Sequence, residues 1–416
     1  MSDQANTELR PKPVLGLGAR LLGNEEEELV MQVLRSKRLF RYAYDLPAAE
    51  QGAMVGTLER EFRELMGVKH ALAVTSGTAA LEVALGALGV GPGDEVIVPA
   101  WSWVSCFTAV VRLGGRPVLA EVDESLCLAP GEITRLATDK TKAAIVVHYQ
   151  GAAADMDPIL AEAKGKGILI LEDCAESPGA IYKGRRVGSI GDIGIFSFQF
   201  QKTITSGEGG MVTTNSSDLY ERAVRMHDIG LVRPYHLQFI EPKEKQFCGS
   251  QFRMNELTGA VALAQFRKLD QIRNHCRKLR DIVLETIRGL DRLKLRKIAD
   301  WGGESAFEIY FYTETPELKA QFNKRLVESN IHCAMMTGTY PHYAKDYCIE
   351  GLAHSPSASP FAGMEMPAAG YLPSDFPRTE WMINHLVALP LGVLFTEEDA
   401  HYIARKVKEI YHELHG

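Results

Sequence analysis

The sequence contains no long apolar run. No stretch reaches the roughly eighteen uninterrupted apolar residues of a membrane span, and residues 1–13 lack the apolar core of a signal peptide. Runs of basic residues interleaved with aromatic ones are also absent, and the net charge is -7, which disfavours a nucleic-acid partner. No repeat of about 20 to 50 residues is visible, which argues against solenoids and propellers. We therefore expect a cytoplasmic protein that binds neither membranes nor nucleic acid.

The seven cysteines are scattered and include no C-x-x-C pair, which is typical of reduced thiols rather than of a disulfide framework. Histidines could ligate a metal, and His412 and His415 lie close together in the segment HELH. However, no second cluster supplies the further ligands that a zinc site needs. We predict no protein-bound metal.

Short apolar segments alternate with segments long enough for helices. This alternation is typical of an α/β fold with a parallel sheet that helices cover on both faces. With 416 residues, 46% of them hydrophobic, the chain is too long for one simple core. We predict an N-terminal segment and large domain over residues 1–274 and a smaller α+β domain over 275–416, linked by a helical pattern over 253–279. The predicted strands of the large domain are 71–74, 95–98, 118–122, 143–147, 168–171, 193–200 and 211–214.

One lysine, Lys202, lies on the connection between the predicted strands 193–200 and 211–214. A lysine that is held among apolar and hydroxyl residues loses solvation of its ammonium form, which frees the amine to attack a carbonyl and form a Schiff base. An exposed loop lysine without a chemical role is the commoner case. Lys202 therefore becomes a candidate only in combination with other features.

Two such features stand upstream. The strand 168–171 ends in Glu172 and Asp173, and one carboxylate of this pair could keep a pyridine nitrogen protonated, which makes the ring an electron sink. The segment 75–78, Thr-Ser-Gly-Thr, follows the strand 71–74 and opens a helix. Free N–H groups and hydroxyls at such a helix start can bind a phosphate, although a plain N-cap is more common. Lysine, acid and phosphate site together point to pyridoxal phosphate.

Longer segments carry a more specific signal. They are GTLEREFRELMGVKHALAVTSGTAALEVAL, GDEVIVPAWSWVS, HYQGAAADMDPI, LEDCAESPGAIYKGRRVGSIGDIGIFSFQFQKTITSGEGG and FRMNELTGAVALAQFRKL. Together they resemble the DegT/DnrJ/EryC1/StrS family of pyridoxal-phosphate-dependent sugar aminotransferases, over nearly the whole chain. The resemblance implies the fold of type I pyridoxal-phosphate enzymes, with a mostly parallel, seven-stranded sheet. Within the family, residues 40–45 (FRYAYD) and 120–128 (AEVDESLCL) resemble most the 8-amino-3,8-dideoxy-octulosonate aminotransferase branch.

The resemblance also assigns roles to individual residues. It implies that Lys202 holds pyridoxal 5′-phosphate and acts as general acid and base, and that Asp173 keeps the ring nitrogen protonated. It implies that Trp103 stacks on the ring, whereas Trp101 is expected to be an ordinary core residue. The cofactor-binding residues that we predict are Ser76, Gly77, Thr78, Trp103, Asp173, Glu176, Ser197, Lys202 and Gln251.

The partners that the resemblance implies are small molecules and a second subunit. Glutamate or glutamine would donate the amino group, and a keto- or aldehydo-sugar or a cyclitol would accept it in the biosynthesis of an amino sugar. A homodimer with shared active sites is expected, in which Gln251 reaches the cofactor phosphate of the neighbouring subunit. The arginine that binds the donor carboxylate stays open, and the candidates are Arg41, Arg185, Arg186, Arg233 and Arg253.

Two positions depart from the family. Glu176 stands where the family has Gln or His beside the phenolic oxygen of the cofactor, and an anionic Glu would repel a phenolate unless it is protonated or paired. Gln251 stands where the family has Asn, with the same amide chemistry. Two alternative functions are a sugar dehydratase, whose relatives carry His in place of Lys202, and a non-catalytic regulator that binds the cofactor or a sugar. A regulator would have no use for both Lys202 and Asp173.

Overall fold

A computed structural model describes residues 17–42, 53–332, 341–352 and 371–416. Its strands are β1 His70–Val74, β2 Glu95–Pro99, β3 Arg116–Ala120, β4 Thr141–Val147, β5 Leu169–Asp173, β6 Ile181–Tyr182, β7 Arg185–Arg186, β8 Ile193–Ser197, β9 Gly210–Thr214, β10 Lys294–Leu295, β11 Glu308–Tyr312 and β12 Leu386–Pro390. Its helices are α1 Asn24–Ser36, α2 Ala53–Met66, α3 Gly77–Ala87, α4 Val104–Arg112, α5 Glu132–Leu136, α6 Met156–Lys166, α7 Ser217–His227, α8 Glu256–Arg267, α9 Leu269–Ile287, α10 Pro316–Glu328, α11 Asp346–Ile349, α12 Pro377–His385 and α13 Glu397–His415.

The large sheet has seven strands in the order β1-β9-β8-β5-β4-β2-β3. The neighbours from β8 to β3 pair in parallel, and β9 runs antiparallel to both β1 and β8. Every residue of β1, β2, β8 and β9 is buried, because helices cover both faces of the sheet, as the near-continuous apolar strands predict. The predicted α/β fold with a mostly parallel, seven-stranded sheet is confirmed.

Strand β8 ends earlier than the sequence pattern predicts. The apolar run 193–200 suggested a strand up to Phe200, but β8 ends at Ser197 and the side chain of Phe200 is exposed. The chain turns at this point, because the Lys202 N–H donates to the Gln199 carbonyl oxygen at 2.9 Å. Lys202 therefore lies in a turn after the end of β8 and not immediately after a strand that reaches Phe200.

The helical pattern over 253–279 forms two helices, α8 and α9, that meet at Lys268. Helix α8 begins only at Glu256, because the Asn255 side chain caps it by accepting the Thr258 N–H at 3.0 Å. At the junction the Lys268 ammonium donates to the Leu21 carbonyl at 2.8 Å and to Glu26 at 2.8 Å. Lys268, at the junction of α8 and α9, therefore holds the segment around Leu21 and Glu26 against these helices.

The C-terminal part has its own sheet, β10-β11-β12, which is antiparallel. Helix α9 contributes to two hydrophobic cores: Ile272 and Cys276 pack with the large sheet, whereas Leu279 and Val283 pack with β11, β12 and α13. The proposed domain boundary between residues 274 and 275 falls inside this helix and stays a prediction.

Helix α13 starts with a capping box. The Thr396 hydroxyl accepts the Asp399 N–H at 3.2 Å, and the Asp399 carboxylate accepts the Thr396 N–H at 2.8 Å. The apolar face that follows packs into the second core. Among the helices that the structure describes, none is both long and apolar enough to cross a membrane.

Candidate active site

A cavity of about 410 Å³ lies beyond the carboxyl ends of β4, β5 and β8, against the start of α3. Ligands of parallel α/β proteins bind at this edge because the strand ends and the helix N-termini converge there. The C-terminal part of the chain closes the cavity with Phe307, Glu308, His332, Pro390 and Leu391. The sequence did not predict these residues, because no motif marks them and only the packing of the C-terminal part against the large sheet brings them to the sheet edge.

Lys202 faces this cavity from the turn after β8. Its side chain is 20% exposed, and its ammonium nitrogen lies 3.7 Å from Oε1 of Glu176. The Gly18 N–H donates to the Lys202 carbonyl at 3.4 Å, which ties the turn to the segment before α1. The sequence predicted apolar and hydroxyl surroundings, and the structure adds a carboxylate that pairs with the ammonium group.

Glu172 and Asp173, at the end of β5, point to opposite faces of the sheet, as neighbours on a strand must. Asp173 lines the cavity. One of its oxygens accepts the Ala175 N–H at 2.9 Å, and the other accepts the Cys106 thiol at 3.1 Å. Burial raises the pKa of the Cys106 thiol well above its ordinary value, and the Asp173 carboxylate raises it further. The thiol therefore stays protonated and acts as a donor to Asp173.

Glu172 does not line the cavity, and its hydrogen bonds stabilise the fold. Its carboxylate is fully buried and accepts hydrogen bonds from the His148 ring at 2.9 Å and from the N–H groups of Gly188, Ile190 and Gly191 at 2.6–2.8 Å. Burial acts to raise the pKa of Glu172, but the bonds from His148 and the backbone outweigh it, and the pKa lies below its ordinary value. Of the two carboxylates, only Asp173 is placed to meet a ligand.

The start of α3, where the sequence predicts a phosphate site, lines the cavity. The Ser76 hydroxyl caps the helix by accepting the Ala79 N–H at 3.0 Å, and the Thr78 hydroxyl lies 2.7 Å from that of Ser105. A Cβ atom at Gly77 would lie 2.6 Å from Cβ of Ser197, so only glycine lets the helix start approach the end of β8. The N–H groups of a first helical turn have no acceptor within the helix. These donors and hydroxyls suit a phosphate.

Trp103 lies on the rim of the cavity at the start of α4, and its side chain is 56% exposed. A large aromatic ring that is this exposed has a free face for stacking on another ring. Trp101, in contrast, is buried, with its ring centroid 5.4 Å from that of Tyr149. The two tryptophans are thus placed as the sequence predicts, one at the cavity and one in the core.

Glu176 lines the cavity beside Lys202, with a side chain that is 9% exposed. Burial raises the pKa of Glu176, the ammonium of Lys202 lowers it, and the nearby Asp173 carboxylate raises it. The net direction is upward. Its Oε2 atom is buried and has no hydrogen-bond partner among the described residues. Buried polar atoms without a partner are rare in proteins, so this oxygen is available to bind a ligand.

Gln251 does not line this cavity, whereas the other eight predicted cofactor residues do. It is exposed, and its backbone forms an isolated bridge with Asp228. The Asp228 carboxylate is fully buried and binds the guanidinium groups of Arg233 and Arg253. The structure therefore places Gln251 on an outer surface, beside two arginines that a buried acid holds in place.

Among the described residues, one buried group carries side chains that could ligate a metal: His148, Glu172 and Cys174. Both ring nitrogens of His148 are engaged, since Nε2 donates to Glu172 at 2.9 Å and Nδ1 accepts the Ala154 N–H at 3.0 Å. No nitrogen lone pair is left for an ion. Within the described residues this group stabilises the sheet edge, and the absence of a bound metal stays a prediction.

Comparisons with known proteins identify the family of this chain. The model of the DegT/DnrJ/EryC1/StrS aminotransferase family matches residues 23–408. The chain is 38% identical to L-glutamine:2-deoxy-scyllo-inosose aminotransferase of Streptoalloteichus tenebrarius over 62% of each protein. It is 30% identical to the spore coat polysaccharide biosynthesis protein SpsC of Bacillus subtilis over 94% of this chain and 95% of that protein. It is also similar to the crystal structure of 3-amino-5-hydroxybenzoic acid synthase, with 27% identity, a TM-score of 0.77 and coverage of 97% and 99%.

These similarities confirm the predicted family and class of enzyme, and a transaminase of this class uses pyridoxal phosphate. The residues that the structure brings together fit that group, because Gly77 leaves room at the helix start and Asp173 and Lys202 face the same cavity. The chain therefore belongs to the DegT/DnrJ/EryC1/StrS family of pyridoxal-phosphate-dependent sugar aminotransferases.

Proposed function

We propose that this protein transfers an amino group from glutamate or glutamine to the carbonyl carbon of a keto- or aldehydo-sugar or a cyclitol. The observation that carries this proposal is the convergence of Lys202, Asp173 and the start of α3 on one cavity. These three features lie far apart in the sequence, and each alone has an ordinary explanation. A site that only bound a sugar would need neither the lysine nor the acid.

Each group has a distinct task toward pyridoxal phosphate. Ser76, Gly77, Thr78 and Ser197 would hold the phosphate, and Trp103 would cover one face of the ring. Asp173 would keep a proton on the ring nitrogen, so that the bound cofactor supplies an electron sink for the carbanion that forms when a substrate C–H bond breaks. The Lys202 amine would bind the cofactor and then remove and return the proton at the reacting carbon of the substrate.

The test of this function is the first half-reaction. Protein loaded with pyridoxal phosphate should release one equivalent of 2-oxoglutarate from glutamate, or of its amide from glutamine, without any acceptor. A regulator that only binds the cofactor should release none. The Lys202→Ala variant is the control, since it should bind cofactor and release no oxoacid above background. Failure of the wild-type protein with both donors would exclude the aminotransferase.

The charges in the cavity support a shared site. The described chain lines it with four carboxylates, Asp173, Glu176, Glu208 and Glu308, and the side chains that can carry a positive charge there are Lys202 and His332. A cofactor phosphate and the one or two carboxylates of a glutamine or glutamate donor bring several negative charges, which need partners. A second subunit could supply them with Gln251 and the arginines beside it, as a two-fold interface allows each chain to give the other the same group.

Exposed apolar side chains support the same dimer. Leu22, Met31, Leu34, Leu39 and Phe40, on and around α1, are each 40–50% exposed. Apolar surface that is concentrated in one segment is typical of an interface. We expect a homodimer with no stable monomer at micromolar concentration, which sedimentation can check.

Complementation tests whether the sites are shared. Mixing the inactive Lys202→Ala protein with a Gln251→Ala protein should give heterodimers in which one site carries both defects and the other carries neither. Activity should therefore rise above that of either parent after subunit exchange. The matched control is Ser197→Ala in place of Gln251→Ala: Ser197 serves the site of its own chain, so each heterodimer site keeps one defect. Equal results for the two mixtures, with exchange demonstrated, would refute the shared site.

For the acceptor we propose the terminal carbon of an eight-carbon ulosonic acid, on the sequence resemblance of residues 40–45 and 120–128. Residues 43–45 lie outside the described part of the chain, and none of 120–128 lines the cavity. The structure therefore neither supports nor opposes this branch. A screen of sugar ketones and aldehydes, including an eight-carbon ulosonic acid with an aldehyde at its terminal carbon, can follow the return of the pyridoxamine form to the pyridoxal form. Amination of another class of acceptor alone would refute the assignment.

A further inference from the structure

Glu176 is a buried carboxyl group with one compensating cation. The titratable groups that act on it are Lys202 on the connection from β8 to β9, Asp173 at the end of β5 and the Cys106 thiol on α4. The backbone of Gln150 also acts on it and lowers its pKa. Within the described residues, the Lys202 ammonium at 3.7 Å is the only cation that pairs with it. The charge of Glu176 in the free protein therefore depends on the charge of Lys202.

The chemistry of a lysine that binds a carbonyl cofactor removes that charge. When an ammonium group condenses with an aldehyde to form a C=N bond, two of its hydrogens leave with the carbonyl oxygen as water. When the third also leaves as a proton, a neutral nitrogen replaces the cation. A carboxylate that stays buried beside another carboxylate, without a cation, is costly, and the usual response is that it binds a proton.

We propose that Glu176 takes up the proton that Lys202 loses when its amine condenses with the cofactor aldehyde, so that Glu176 is a neutral carboxylic acid in the loaded site. This inference rests on the proposed role of Lys202. It makes Glu176 a proton-holding residue: as a neutral acid it could donate a hydrogen bond to the phenolic oxygen that the family resemblance places beside this position, whereas a carboxylate would repel that oxygen. Glu176 could therefore replace the Gln or His of the family as a hydrogen-bond donor at this position.

Asp173 is a poorer receiver for this proton, although it lies in the same cavity. Its two oxygens already accept the Ala175 N–H and the Cys106 thiol, and both bonds favour the charged form. Oε2 of Glu176 accepts no hydrogen bond from any residue that the structure describes. Because of these hydrogen bonds, the proton binds to Glu176 in preference to Asp173. Asp173 stays ionised and can interact with the ring nitrogen.

The experiment counts protons and does not depend on turnover. Cofactor-free protein is titrated with pyridoxal phosphate at about pH 7.5, well above the ordinary pKa of a glutamate, by calorimetry in two buffers with different ionisation enthalpies. The proteins are the wild type, Glu176→Gln and the control Glu82→Gln. Glu82 is also a buried glutamate with a raised pKa and an arginine partner at 2.9 Å, but it lies outside the cavity. Borohydride reduction and mass spectrometry establish that the cofactor is bound to Lys202 in each.

Glu176→Gln should release about one proton more per site than the wild type, because glutamine cannot take up the proton, and Glu82→Gln should match the wild type. In a Lys202→Ala background, where no ammonium is present to lose a proton, Glu176→Gln should cause no difference. Equal proton release by wild type and Glu176→Gln, with cofactor attached to Lys202, would overturn this inference alone. Absence of attachment to Lys202 would overturn the proposed function together with it.

Discussion

Replacing the adjacent carboxylates Asp173 and Glu172 by their amides should have different effects. The first replacement should lower activity, and the second should lower stability. In Asp173→Asn the amide oxygen can keep the Ala175 N–H, and only the bond from the Cys106 thiol is lost, which costs about 1 kcal/mol of stability or less. An amide cannot keep a proton on a pyridine nitrogen, however. We therefore expect Asp173→Asn to fold and bind cofactor, while the rate of proton abstraction falls about 100- to 1,000-fold, or about 3–4 kcal/mol.

Glu172→Gln should instead destabilise the fold. Each oxygen of Glu172 accepts two hydrogen bonds: Oε1 from Ile190 and Gly191, and Oε2 from His148 and Gly188. Whichever way a glutamine amide is turned, its NH2 group faces two donors, and each lost acceptor costs about 1–3 kcal/mol. The total of about 2–6 kcal/mol corresponds to a fall in melting temperature of about 2–7 °C for a chain of 416 residues.

Two measurements on both variants separate these effects. Thermal unfolding of the cofactor-free proteins, followed by circular dichroism, reports stability. Single-turnover release of oxoacid from glutamate at saturating cofactor reports the chemical step. If Asp173→Asn reacts within about threefold of the wild-type rate, the partner of the ring nitrogen lies elsewhere. If Glu172→Gln is slow but melts as the wild type does, that partner is Glu172 and the assignment of the two faces is wrong.

Two further substitutions test the lysine and the phosphate site. Lys202→Ala should bind pyridoxal phosphate through its ring and phosphate contacts, as equilibrium dialysis can show, but should lose transamination; more than trace turnover would remove Lys202 from its role. Gly77→Ala should weaken cofactor binding about 5- to 150-fold, since its Cβ would lie 2.6 Å from that of Ser197 and overpacking costs about 1–3 kcal/mol. Gly91→Ala, where a Cβ meets nothing within 4 Å, is the control, and equal cofactor affinity in both variants would contradict the reasoning.

Sequence patterns located the strands well because burial on both faces leaves a continuous apolar run. β5 and β8 lie within a few residues of the predicted 168–171 and 193–200. The polar residues that follow such runs must lie at the carboxyl edge of the sheet, so Asp173, Ser197 and Lys202 could be expected to meet. The predicted end of β8 at Phe200 was wrong, since the strand ends at Ser197. Apolar residues can also occupy a turn, and the spacing of apolar residues does not indicate where a chain turns.

The sequence by itself thus determined the fold class, the family and the set of residues at the sheet edge, because these follow from local patterns and motifs. The tertiary structure decided how those residues are used. It showed that Asp173 and not Glu172 faces the cavity, that Glu176 pairs with Lys202, and that Glu308 from the C-terminal sheet closes the site. Such relations depend on which elements pack against each face and on distances between segments that are remote in the chain, and no local pattern encodes them.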